Sequence, residues 1–190
     1  MPDGSDSEES TRDTGGWLGV EIVRDAGDWG AFEPAEVYVE AAASALGAHA
    51  RFRDLTRAVA CVALSDDASV RRLNATYRSK DKPTNVLSFP AQARGNATTA
   101  GPRMLGDVVL AEETVLQEAS NLGIAPAHHL EHLVIHGLLH LLGFDHKADS
   151  EAADMERLET EILGTRGISD PYAEPVAAKV APAREKGRRR

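Results

Sequence analysis

The stretch HGLLHLLGFDH, from His136 to His146, restricts the folding of this chain more than any other. Three histidines stand at H-x3-H-x5-H, with Gly143 between the second and the third. Pro126 suits a first helical turn, the apolar pattern runs through Leu142, and Gly143 suits a left-handed cap, so the spacing predicts a helix over 126–142. With a rise of about 1.5 Å per residue, His128, His132, His136 and His140 form one stripe along it. Neighbours four apart, such as His136 and His140, can share one ion with nitrogens at about 2.0–2.1 Å. His132 and His140 start about 12 Å apart along the axis, which makes a straight stripe of three a poor chelate. The third ligand is expected from chain that has turned back, and His146 lies just past the turning glycine. Three neutral histidines leave a fourth position open, the pattern of catalytic rather than structural zinc.

This spacing matches the ligand frame of metzincin proteases, except that Gly137 stands where their catalytic glutamate belongs. A bound metal lowers the pKa of water to about 7, so part of the nucleophile problem is solved without that carboxylate. Another side chain, the activated water itself or the substrate could move the proton. In RNA the 2′-hydroxyl can attack its own phosphodiester, and the developing charge then needs a cation nearby. The segment YRSKDKPTNVLSF, with Arg78, Lys80 and Lys82 between a helix and a strand, is the best supplier. His132 is expected next to the metal shell or the substrate, His128 and His129 at the surface, and His49 carries no signal.

Net charge is −9, which by its sum argues against a nucleic-acid partner, but its distribution is uneven. Residues 51–103 carry ten Lys/Arg against four acids, whereas 104–164 carry two against twelve, so a basic segment is set against the acidic half that holds the histidines. The single cysteine, Cys61, excludes an intramolecular disulfide framework and, within an Ala/Val run, is expected in the core. No apolar run approaches the roughly 18 residues that suggest a membrane span. The acidic MPDGSDSEES has neither the basic nor the apolar region of a secretory leader. A cytoplasmic protein without a membrane partner is expected.

Residues 1–16 read as a disordered acidic extension and 165–190 as a disordered basic tail, leaving one domain over 17–164. Strands are predicted at 17–23, 58–64 (an interior strand), 85–89 and 106–111. Helices are predicted over 34–48, 65–78, 112–123, 126–142 and roughly 149–163, the last ending at Gly164. The second of these places Val70, Leu73 and Tyr77 at helical spacing, and 91–104 reads as a loop. Four strands interleaved with about five helices predict a single α+β domain with a mixed sheet, its zinc site on a helix and the following turn.

Three blocks, LNATYRSKDKPTNVLSFP (73–90), LGDVVLA (105–111) and HLVIHGLLHLLGFDH (132–146), resemble the YbeY family of bacterial rRNA-maturation endoribonucleases. They occur in the family's order, and the similarity covers roughly Trp17 to Gly164. The family's own glycine matches Gly137, so the departure from proteases is its normal state. The resemblance implies one zinc ion per chain on His136, His140 and His146, with His136 and Arg78 in the catalytic machinery and Arg78 suited to a scissile phosphate. Lys80, Lys82, Arg71 and Arg72 are then expected on the RNA backbone. Asp145 is expected either to orient the third ligand or to cap the helix, and Asp107, at the start of its strand, to be structural. The function implied is a single-strand-specific, metal-dependent endoribonuclease that matures the 3′ end of small-subunit (16S) rRNA and takes part in ribosome quality control. Its implied partners are rRNA precursors, the small ribosomal subunit and its proteins, and an Era-type GTPase. Two rivals stand beside it: a non-catalytic ribosome-assembly factor with a structural zinc, and a zinc peptidase.

Overall fold

The computed structural model describes residues 18–52, 55, 57–91, 101–146 and 148–173. The expectations for 1–17, for the loop over 92–100 and for the tail from 174 onward lie outside the described residues. Four strands form among the described residues: β1 (Gly19–Arg24), β2 (Ala58–Ser65), β3 (Val86–Pro90) and β4 (Arg103–Ala111). Their order is β1-β2-β4-β3. β1 and β4 run parallel to β2, and β3 runs antiparallel to β4, so the sheet is mixed and β3 forms one edge. Five α-helices accompany it among the described residues: α1 (Ala35–Ala48), α2 (Asp67–Arg78), α3 (Glu112–Leu122), α4 (Pro126–Leu141) and α5 (Asp149–Thr165). The protein is a single α+β domain.

Alternation along the strands divides the core. Ala60, Val62, Val108 and Leu110 point to the face that packs with α1 and α4. The other face meets α2, where Val70 packs with Leu87, Val109 and Ala111. Cys61 points to this second face by the two-residue strand period, and it is only half-buried, not a core residue as the sequence suggested. Burial and the nearby Asp107 and Glu21 carboxylates push its thiol pKa up.

β4 begins three residues earlier than the pattern suggested. Its pairing with β2 shifts register between Val59 and Ala60, at a bulge that lets Arg103 and Met104 join the ladder before Gly106. Gly106 has φ +130°, and a Cβ there would lie 2.2 Å from the Phe89 carbonyl oxygen, so only glycine fits. Asp107 therefore lies in mid-strand with an exposed side chain, not at the strand's start.

Two further expectations need correction. In α2, Tyr77 is 67% exposed, and the buried partner of Val70 is Asn74. The Asn74 side-chain amide donates to the Lys82 carbonyl at 2.7 Å and so fixes the turn that carries the basic residues. α5 runs through Gly164, and the chain reverses at Gly167, whose φ is +71°. Residues past 164 belong to the folded structure: Arg166 donates to the buried Glu131 carboxylate at 2.8 Å, and Ile168 packs against the core.

Candidate metal centre

α4 is buried on most sides by Leu130, Leu133, Val134, Ile135, Leu138 and Leu139, which leaves His132, His136 and His140 along its open flank. Gly137 faces the sheet. A Cβ there would stand 2.7 Å from Val108 Cγ1 and 3.2 Å from Ser88 Oγ. The Ser88 hydroxyl donates to the Gly137 carbonyl at 3.1 Å. The residue after the first histidine is thus where helix and sheet touch, and a glutamate has no room there.

The helix ends in a Schellman turn. Gly143 N–H donates to the His140 carbonyl at 3.0 Å and Phe144 N–H to the Leu139 carbonyl at 3.1 Å, with Gly143 at φ +93°. Phe144 then packs edge-on against Phe52, with ring centroids 5.9 Å apart, and this anchors the returning chain. His146 is carried back beside the helix, its ring centroid 5.0 Å from that of His140 and 5.9 Å from that of His136. One ligand atom from each of the three lies within 4.8 Å of the other two. Among the described residues nothing stands near the Cβ position of Gly143, so Gly143→Ala costs backbone strain, about 1–2 kcal/mol. At roughly 2–4 °C per kcal/mol for a chain of this size, its thermal midpoint is expected to fall by about 2–8 °C in a calorimetric scan.

The donor chemistry fits a divalent cation. His140 Nδ1 lies 2.9 Å from the Phe144 carbonyl, which can only accept, so Nδ1 carries the proton. His136 Nδ1 lies 2.8 Å from Glu159 Oε1 and donates to it in the same way. The remaining nitrogen of each ring, Nε2, then faces the other at 3.1 Å, and in the ligand form of both rings these are two lone pairs. A proton shared between them or a cation held by both relieves the repulsion of two lone pairs at that distance. Nitrogens bound tetrahedrally at about 2.0–2.1 Å stand about 3.3 Å apart, close to what is seen. Burial, reinforced by the adjacent His136, holds the pKa of His140 below its usual value and favours the neutral ligand form.

Glu159 escaped the sequence reading. It is 0% exposed and lies on α5 among the buried Met155, Leu158, Ile162 and Leu163. Burial alone would raise its pKa, but hydrogen bonds from His132, His136 and Tyr172 outweigh burial and bring it down to about 2. The one available signal was an acid at a core-facing position of an apolar helical stripe. Asp145, expected either to orient the third ligand or to cap the helix, accepts from the His146 backbone N–H at 2.8 Å and so shapes the turn. His129 is not at the surface: it is 4% exposed, with Nε2 2.8 Å from Glu118. His128 is exposed as expected.

The basic residues lie at the other end of the same contact chain. Arg78 is exposed, and its guanidinium donates to the Ser88 carbonyl on the free edge of β3 at 3.2 Å. Ser88 in turn bonds to Gly137, next to His136. Lys80 and Lys82 are exposed on the turn that Asn74 pins. Arg71 is already engaged by Asp81, at 2.7 and 2.9 Å, and Arg72 donates to Ser69 Oγ at 2.9 Å.

The chain is similar to proteins named Endoribonuclease YbeY from three bacteria. The Rhodospirillum rubrum protein is 62% identical over 113 residues, covering 58% of this chain and 56% of the relative's length. That from Rhodopseudomonas palustris strain BisB18 is 48% identical over 160 residues, covering 82% of this chain and 92% of the relative. That from Azorhizobium caulinodans is 49% identical over 157 residues, covering 81% and 95%. The family model described as Endoribonuclease YbeY matches residues 34–167, which take in the basic turn, the bulged strand β4 and all three histidines. The chain belongs to the YbeY endoribonuclease family.

Proposed function

We propose that this protein is a cytoplasmic, zinc-dependent endoribonuclease that cuts single-stranded rRNA, maturing the 3′ end of the small-subunit (16S) precursor and serving ribosome quality control. The observation that carries the reading is the pair of facing Nε2 atoms on His136 and His140, with His146 brought beside them, in a chain of this family. A divalent cation held there supplies Lewis-acid polarisation of a phosphoryl oxygen. His136, His140 and His146 hold that ion. Arg78, exposed at the sheet edge, neutralises the charge that develops on the scissile phosphate. Lys80 and Lys82 hold the flanking backbone, and Arg72 can join them by releasing Ser69. Arg71 contributes least, because Asp81 already occupies its guanidinium. The small subunit, its ribosomal proteins and an Era-type GTPase are the setting in which the substrate is presented. The peptidase alternative is disfavoured by Gly137, whose place against Val108 leaves no room for a catalytic glutamate.

Zinc-loaded protein is expected to cleave a single-stranded precursor fragment from the 3′ end of 16S rRNA and to spare the same sequence in a duplex. Equal cleavage of both would remove the strand preference, and no cleavage of either would remove the enzymatic reading. Arg78→Ala is expected to slow cleavage about a hundred- to a thousand-fold while zinc stays at one ion per chain. Unchanged cleavage by this variant would take the phosphate role away from Arg78.

A further inference from the structure

Glu159 receives three donors, two from α4 and one from the segment after α5. Oε1 accepts from His136 Nδ1 at 2.8 Å, and Oε2 accepts from His132 Nε2 at 2.8 Å and from the Tyr172 hydroxyl. Tyr172 arrives from the segment after α5. Gly167 reverses the chain, and Asp170 Oδ1 then accepts from Thr160 Oγ1 at 3.0 Å and from the Tyr172 backbone N–H at 2.9 Å, which pins the segment along α5. The Tyr172 ring stands edge-on to His132, with centroids 5.9 Å apart. The phenol thus stands beside His132, at the end of the histidine row away from His140.

His132, His136 and Glu159 also place ligand atoms within 4.8 Å of one another, so a second ion between them is the competing explanation. The distances decide against it. Both nitrogens sit 2.8 Å from a carboxylate oxygen, the separation of a charge-assisted N–H to O bond. A tetrahedral ion would hold nitrogen and oxygen about 3.3 Å apart. Protons, not a metal, bridge these groups.

We propose that Tyr172 is a positioning residue: through Glu159 it locks His136 with its proton on Nδ1 and its Nε2 lone pair toward His140 and His146, so that the C-terminal segment sets the metal affinity of the centre. This inference rests on the metal-site reading above. An ionised carboxylate with one fixed and two shared hydrogen bonds cannot swing away from His136. Without the phenol, Oε2 keeps only the bond from His132, and the carboxylate is held less firmly in the orientation that serves His136. Partners that orient metal-bound histidines in this way typically change affinity by about 10- to 100-fold when removed.

The test compares the full-length chain with Tyr172→Phe, which deletes one hydroxyl from a partly exposed side chain and leaves the fold in place. Zn2+ affinity is measured by competition with a chromophoric chelator, Co2+ loading by visible absorption, and stability by thermal melting of the metal-free protein. Tyr172→Phe is expected to bind Zn2+ about ten-fold or more weakly and to shift the Co2+ bands. Glu159→Gln is expected to produce a larger loss in the same direction. If Tyr172→Phe binds Zn2+ as tightly as the parent while melting at lower temperature, the segment is a structural clasp and the inference is overturned. A titration of the parent that ends at two ions per chain overturns it as well, because Glu159 would then be a ligand. A parent chain that binds no ion at all defeats the metal-site reading itself, an outcome read before any variant is compared.

Discussion

A chain carrying His146→Ala is expected to keep its fold while losing both its bound ion and its RNA cleavage. His146 is exposed on the turn after α4, whereas the packing of the helix is carried by Leu133, Val134, Leu138 and Leu139 on its other sides. The turn itself is closed by backbone bonds from Gly143 and Phe144, which the substitution leaves alone. What disappears is the third imidazole, and two histidines on one helix leave the ion half-coordinated. Charge stabilisation by a metal is worth several kcal/mol, and about 4 kcal/mol corresponds to roughly a thousand-fold in rate. The assay is metal content after dialysis and the initial cleavage rate, beside a far-ultraviolet circular dichroism spectrum. An intact spectrum with full cleavage would detach the chemistry from this site. Collapse of the fold at 25 °C would instead favour the assembly-factor alternative, in which the metal only fastens helix to loop.

The second large effect concerns the glycine that distinguishes this histidine frame from that of the proteases. Gly137→Glu is expected to unfold the protein, not to convert it into a peptidase. Even the first carbon of the new side chain would lie 2.7 Å from Val108 Cγ1. Val108 is 0% exposed on interior strand β4, and its β-branched side chain has little freedom to turn away. Gly137→Ala alone sets a gain of about 1 kcal/mol in helix propensity against an overpacking cost of about 1–3 kcal/mol. Glutamate adds further volume and a buried carboxylate with no partner, which together approach the roughly 5–15 kcal/mol that stabilises a typical domain. Thermal denaturation checks the pair: Gly137→Ala should melt a few degrees lower, and Gly137→Glu should show no cooperative transition. A stable Gly137→Glu protein would mean that α4 does not press on the sheet at this point.

Much of the fold was legible because local periodicity and tertiary burial agree. The run from Pro126 to Leu142 predicted a helix closed by a glycine, and both the helix and its left-handed cap are found. β2 was readable as an interior strand because its apolar residues fill both of its faces. Legibility failed where a long-range partner decides the outcome. Nothing local marks Arg103 and Met104 as strand, since the bulge at Gly106 that admits them exists only against β2 and β3. Tyr77 has the spacing of a core residue, but it stands exposed and edge-on to Phe89 of β3, and Asn74 is buried instead, with its bond to Lys82. At the site, the histidine trio follows from helix geometry plus one turn. The apolar stripe of α5 sets Glu159 apart from Glu156 and Glu161 as core-facing, but only the packing of α5 against α4 sets it between two imidazoles. The tail boundary was misplaced for the same reason, since Arg166 and Tyr172 find their partners across space in Glu131 and Glu159.

The account turns on one ion serving one reaction. The most direct measurement strips the purified chain of metal with a chelator and then titrates Zn2+ back, following cleavage of the precursor 16S fragment and bound metal in the same samples. Cleavage should rise from zero and saturate at one ion per chain, and a parallel titration of His140→Ala should show neither binding nor activity. If the metal-free chain cuts the RNA at the full rate, the histidine cluster is not the centre of the reaction.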